Sequence, residues 1–324
     1  MRARLKIEPQ LYATVTLVAL AALSLIVLTG AGVRLTGSGL GCPDWPKCYG
    51  GTVPPLDTHA VIEYGNRILT GFVGLAVIAA SVLAWFRRPF RWHLAVLGAL
   101  LPLGVLGQAI LGGLVVKYHL APGLVMGHFI LSMLLLDASF ALAWCARYES
   151  GSRRRSTDRL GVWAVRALIP IGQLTIAAGT VATASGPHAG AHEGQLVHRF
   201  DFKGADTLEW VVQRHSAIAA IFGVATIAVW LLLHLQGRDR RALRPLGVVI
   251  GLLALQGVVG GVQWALKLPA GIVWLHIALA TATWLAMLWT VATAGLLEPR
   301  REPEALTGRG SAEDGTQAPA LTGT

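Results

Sequence analysis

Charge is scarce in this chain. Of 324 residues, 14% are Asp, Glu, Lys or Arg, while 54% are hydrophobic. Soluble domains carry about a quarter of their residues as charge, so that class is excluded. Acidic residues are the rarer sign, 17 against 27 basic, for a net charge of +10. Cysteine is rarer still, with three residues. Cys42 and Cys48 bracket a short Pro- and Trp-containing stretch. A metal site there would need further ligands, and none lies close in sequence. A disulfide in an oxidising compartment is the favoured reading, with two free thiols or half a metal site as the alternatives. The first apolar run is too long for a removed signal peptide and lacks its small-residue cleavage pattern.

What is present is a series of long apolar runs. Eight are expected to span a bilayer as helices: Leu11–Val33, Ile62–Phe86, Leu94–Val116, Pro122–Cys145, Val162–Ala184, Trp210–Leu235, Leu246–Leu266 and Ala270–Ala294. Eighteen Lys and Arg fall on one side of these spans. They include Arg2, Arg4, Lys6, Arg87, Arg88, Arg91, Arg147, Arg153, Arg238, Arg244 and the tail's Arg300, Arg301 and Arg309. Six fall on the other: Arg34, Lys47, Lys117, Arg199, Lys203 and Lys267. This asymmetry predicts a multi-pass plasma-membrane protein with both termini cytoplasmic. It also accounts for the basicity without nucleic acid, because the charges sit in short loops between spans.

The chain contains one stretch twice. QAILGGLVVKYHLAPGLVMGH (Gln108 to His128) returns about 148 residues later as QGVVGGVQWALKLPAGIVWLH (Gln256 to His276). GVRLTGSG (Gly32 to Gly39) aligns with GTVATASG (Gly179 to Gly186), and Asn66 stands where the second copy has His215. The expected architecture is therefore all-α: eight transmembrane helices as two pseudo-repeated four-helix bundles. Residues 1–150 form one half and 151–297 the other, and 298–324 read as a disordered cytoplasmic tail.

Polar residues inside apolar spans are costly and are functional candidates. His128, His215 and His276 each lie about five to seven residues into their spans, in the outer third of the membrane at ~1.5 Å per residue. Two imidazoles at one depth can hold a haem iron from both sides. An interhelical hydrogen bond is the plainer reading of each His taken alone. Arg67 and Arg214 adjoin Asn66 and His215 and suit a haem propionate, or equally a snorkelling role. Glu63 lies one turn before Asn66, where it suits acid–base work beside a weakly ligated iron, or an i,i+4 pair with Arg67. Asp137 lies nine residues past His128 and stays unassigned. The loop histidines His188, His192 and His198 read as solvated rather than as metal ligands.

The combination of TGSGLGCPDWPKC, IEYGNR, the histidines of the fourth, sixth and eighth spans, and two similar halves resembles the haem A synthases. The resemblance covers residues ~11–295. It implies an oxidoreductase that converts a methyl of haem O to a formyl group, making haem A for terminal oxidases. It further implies haem b held by His215 and His276, haem O ligated by His128, Glu63 as the catalytic acid, and a Cys42–Cys48 pair. The haem O synthase and an electron donor or acceptor are implied as partners beside membrane lipid, and homo-oligomer formation stays open. Asn66 departs from the family's fourth histidine and leaves the sixth ligand opposite His128 open. Two other classes remain: a di-haem cytochrome b that only transfers electrons, and a transporter built from repeats.

Overall fold

The computed structural model describes residues 6–148, 153–155, 157–238 and 240–299. The N-terminal and C-terminal basic residues Arg2, Arg4, Arg300, Arg301 and Arg309, and the tail from residue 300 on, lie outside the described residues. The chain forms α1 (Pro9–Leu35), α2 (Thr58–Phe86), α3 (Trp92–Lys117), α4 (Pro122–Arg147), α5 (Arg159–Arg166), α6 (Leu168–Ser185), α7 (Thr207–Leu235), α8 (Arg240–Ala265) and α9 (Ala270–Thr293). With α5 and α6 taken as one stretch, eight segments among the described residues are long and apolar enough to cross a membrane. In a bilayer such segments must satisfy their own backbone, which helices do.

Two boundaries differ from the sequence expectation, each for a local reason. The fifth span is two helices meeting at Ala167. Pro170 lacks the N–H that would bond Arg166, and its ring crowds that carbonyl, so the helix breaks there. Conversely, α8 begins at Arg240, well before the apolar run, and carries Pro245 inside it. Its charged first turns are invisible to a reading that looks for apolar length.

Helix α1 packs on α2 and α4, and α3 on α2 and α4; α6 packs on α7, and α8 on α7 and α9. The two sets meet along α1–α9, α4–α6 and α4–α9. Lipid tails are as apolar as the helix faces, so small residues and polar bonds hold such seams. Gly98 faces the backbone of Ser81, 3.2 Å from where a Cβ would stand. Gly172 likewise admits Trp284 at 2.9 Å and Phe222 at 3.2 Å. Trp284 of α9 donates its indole N–H to Asp137 of α4 at 2.6 Å, and Trp274 donates to the Leu28 carbonyl of α1 at 3.0 Å. Asp137 thus ties the two helix sets together.

At one end of the molecule, the segment at Ile7 pairs with the turn after α2, and a short antiparallel pair joins Arg153–Arg155 to Leu296–Pro299. At the other end, two long loops lie on each other. The Gly39 N–H donates to the Gly190 carbonyl at 2.7 Å, and Arg34 donates to the His188 carbonyl at 2.7 Å. The charge asymmetry expects the first of these ends on the cytoplasmic side and the second on the outer side.

Candidate functional site

His128 and His276 each lie six residues past the first residue of α4 and α9, and Asn66 and His215 eight past the first of α2 and α7. The His215 and His276 rings come together with centroids 6.4 Å apart and planes at 74°. Two imidazoles ligating one metal from opposite sides, at about 2 Å per bond, have centroids roughly 6 Å apart. The pair therefore has the spacing of a bis-imidazole iron site. His215 Nδ1 bonds the Thr175 carbonyl of α6 at 3.1 Å, which fixes that nitrogen as the donor and leaves Nε2 as the ring's free acceptor. Glycine lets both rings sit against a helix backbone. A Cβ on Gly179 would stand 3.1 Å from His215 Cε1, and one on Gly260 would stand 3.4 Å from His276 Cε1.

The other helix set reproduces part of this. A Cβ on Gly112 would stand 3.5 Å from His128 Cε1, as Gly260 does for His276. The turns after α3 and α8 each hold two consecutive residues in left-handed backbone, His119 with Leu120 and Lys267 with Leu268. Opposite His128 the likeness ends. Nothing lies within 4 Å of a Cβ on Gly32, the residue aligned with Gly179. The Leu28 carbonyl, aligned with that of Thr175, is taken by Trp274. Asn66 turns its Oδ1 to the Thr29 hydroxyl at 2.8 Å.

Glu63 is 6% exposed, and both of its oxygens are engaged. Oε2 accepts the Cys42 backbone N–H at 2.8 Å, and Oε1 pairs with Arg67 at 2.5 Å. Arg67 reaches on to the carbonyls of Asp44 at 2.9 Å and Lys47 at 2.8 Å. The Cys42–Cys48 disulfide closes the loop that supplies these carbonyls, and both cysteines are fully buried. The Glu63–Arg67 pair thus clamps the loop onto α2, and Trp45 of that loop lies against Gly113 of α3. Gly41 has no room for a side chain, because a Cβ would run into the His59 carbonyl. Gly41→Ala is expected to destabilise the protein by roughly 1–3 kcal/mol. Thermal unfolding in detergent reads this, and an unshifted midpoint would show that the loop yields freely.

Arg67 is committed to this clamp. Arg214 stacks on Trp210 at 4.2 Å, bonds Gln213, and is exposed. Residues adjacent on a helix point about 100° apart, so a position next to His215 does not aim Arg214 at the paired rings. His188 and His192 are not simply solvated. His188 Nε2 bonds the Leu268 carbonyl at 2.7 Å, and His192 stacks on His59 at 4.8 Å; His198 is exposed. No group of three or more metal-ligating side chains converges among the described residues.

Between the loop of residues 186–199 and the ends of α6, α7 and α8 lies a feature the sequence did not disclose, a cavity of about 690 Å³. Gly186, Gln195, Arg199, Leu208, Trp264 and Lys267 are among its walls. Arg199 donates to the carbonyls of Thr183 and Gly186 at the end of α6. Burial pulls its pKa below the usual arginine value. Only the loop's docking against α6 and α8 brings Arg199 here, and that contact is non-local.

Eight apolar helices, with polar residues gathered near one face, define a multi-pass helical membrane protein. Residues 13–61 and 57–192 match the family model described as cytochrome oxidase assembly protein. The match covers more than half of the chain, and the chain belongs to that family. It is similar to the haem A synthase of Bacillus licheniformis, 29% identical over 136 residues (42% of this chain, 45% of the relative). It is 34% identical to the haem A synthase of Bacillus pumilus over 122 residues (37% of this chain, 39% of the relative). It is 28% identical to a protoheme IX farnesyltransferase of Thermus thermophilus over 285 residues (83% of this chain, 46% of the relative). The chain spans less than half the length of each of these curated relatives.

Proposed function

We propose that the chain is a haem A synthase, an oxidoreductase that converts a methyl group of haem O to the formyl group of haem A. The observation that carries the reading is the His215–His276 pair, with its 6.4 Å spacing and a fixed Nδ1 donor on His215. Residues 151–297 form the cofactor half, in which these two histidines hold haem b. Residues 1–150 form the substrate half, in which His128 ligates haem O. When bound, haem b supplies one-electron transfer.

Asn66, at the position matching His215, bonds the Thr29 hydroxyl, and this reading leaves His128 as the one imidazole on the substrate iron. An iron held from one side suits reaction better than electron transfer alone. Glu63 is the carboxylate on the same helix, one turn from Asn66, and accepts protons released as the methyl undergoes two two-electron hydroxylations, whose oxygen and electron acceptor come from outside the chain, before the hydrated aldehyde loses water. Arg67 orients it. Cys42 and Cys48 hold the loop whose backbone N–H anchors Glu63.

The Glu63–Arg67 ion pair also favours a second reading, in which Glu63 only fastens the loop and the protein is a di-haem cytochrome b. Pigment extraction separates the two. Co-expressed with a source of haem O, the first reading predicts haem A in the extract, identified by chromatography. Haem O or haem b alone would leave the cytochrome. In the first reading the haem O synthase and an electron carrier are the working partners. The site then lies near the outer face of the plasma membrane, with both termini cytoplasmic.

A further inference from the structure

We propose that the cavity bordered by Arg199 and Lys267 seats the carboxylates of the porphyrin held by His215 and His276. The inference rests on the cofactor reading above and adds the residues that orient the ring. Three helix faces that meet the imidazoles continue outward into this cavity. On α8, Trp264 lies one turn beyond Gly260, the residue against His276. On α7, Leu208 lies two turns outward of His215, and after α6, Gly186 lies seven residues past Gly179 on the same face. At 1.5 Å per residue the cavity walls therefore begin ~6–10 Å outward of the rings. Summed bond lengths put a protohaem carboxylate about 8 Å from its iron. A ring clasped edge-on, with its carboxylate edge outward, delivers both acids into this space.

The walls suit that cargo chemically. They include two cations, Arg199 and Lys267, and no Asp or Glu. The Arg199 guanidinium is already positioned by two carbonyls at the end of α6, while its Nε is buried without a hydrogen-bond partner. Lys267 stands in the left-handed turn between α8 and α9 and makes no ion pair with a described residue. Trp264 and Leu208 supply an apolar wall for the macrocycle's edge. The arginines next to the histidine positions are engaged elsewhere, Arg67 in the loop clamp and Arg214 on Trp210.

The test compares protohaem with its dimethyl ester, which keeps the ring and iron and removes both negative charges. Full-length haem-free protein in detergent is titrated with each, reading the low-spin absorption spectrum and the dissociation constant. The ester should bind wild-type protein about tenfold more weakly or worse. In the double variant Arg199→Gln, Lys267→Asn that penalty should shrink below about threefold, with the low-spin spectrum kept for both ligands. Equal affinity of the two haems for wild type overturns the proposal without any variant. An undiminished ester penalty in the double variant assigns the carboxylates to other residues and overturns it too. Failure of the cofactor reading looks different, since no low-spin species sensitive to His276→Ala would form with either haem.

Discussion

His276→Ala and His215→Ala each abolish the low-spin haem spectrum of the purified protein, and haem retention falls more than about tenfold. The physical argument lies in the spacing. Rings 6.4 Å apart hold an iron only together, because removing one leaves a single ligand and a void where the second ring stood. Neighbouring backbone cannot close that void with another donor. Gly179 and Gly260 line it, and neither carries a side chain. The two variants should differ in degree. His215 is held by the Thr175 carbonyl, whereas His276 Nδ1 is buried without a partner. His276 is therefore oriented by packing, against Gly260 among others, and not by a hydrogen bond at Nδ1. Removing it leaves an oriented His215 and a high-spin, five-coordinate spectrum. Removing His215 leaves a less constrained ring and a larger loss of haem. His198→Ala, in the exposed part of the loop, serves as the control and should leave the spectrum unchanged. An unaltered low-spin spectrum in both site variants would remove the cofactor assignment.

The depth of these histidines was legible from sequence because helix rise is constant and each span has a clear outer end. Their approach was legible only as an expectation, since it depends on how α7 and α9 turn about their axes. The polar clamp around Glu63 was half legible. The four-residue spacing to Arg67 is written in the chain, but the Cys42 N–H and the carbonyls of Asp44 and Lys47 come from a loop whose path no periodicity describes. Arg214 shows the converse limit, because adjacency to His215 left a propionate role and a snorkelling role equally open, and in the structure the side chain lies on Trp210. Arg199 and Lys267 carried no signal beyond being two of the few cations expected on the outer side. The cavity they share exists because residues 186–199 fold back over the ends of α6 and α8, a non-local contact. The same folding back sets His192 on His59 and His188 on the turn after α8. Composition identified the outer loops, but not that one lies across the other.

Glu63→Gln lowers haem A formation by about 10²–10⁴-fold while the haem b spectrum persists. The substitution is informative because it is nearly isosteric. The amide oxygen can still accept the Cys42 N–H, so the loop keeps that anchor. Arg67 loses its counter-charge but keeps the carbonyls of Asp44 and Lys47, so its guanidinium is not left bare. What disappears is the negative charge and the ability to carry a proton. If Glu63 served only to fasten the loop, this variant would stay near wild-type activity. The damage would instead fall on Arg67→Lys, which keeps one positive charge but cannot span both carbonyls and the carboxylate. The two variants thus pull the roles apart. A proton-carrying Glu63 predicts a stable, haem-loaded, inactive Glu63→Gln protein beside a less stable Arg67→Lys protein that retains part of its activity. A fully active Glu63→Gln protein would take Glu63 out of the chemistry and leave the loop clamp as its whole function.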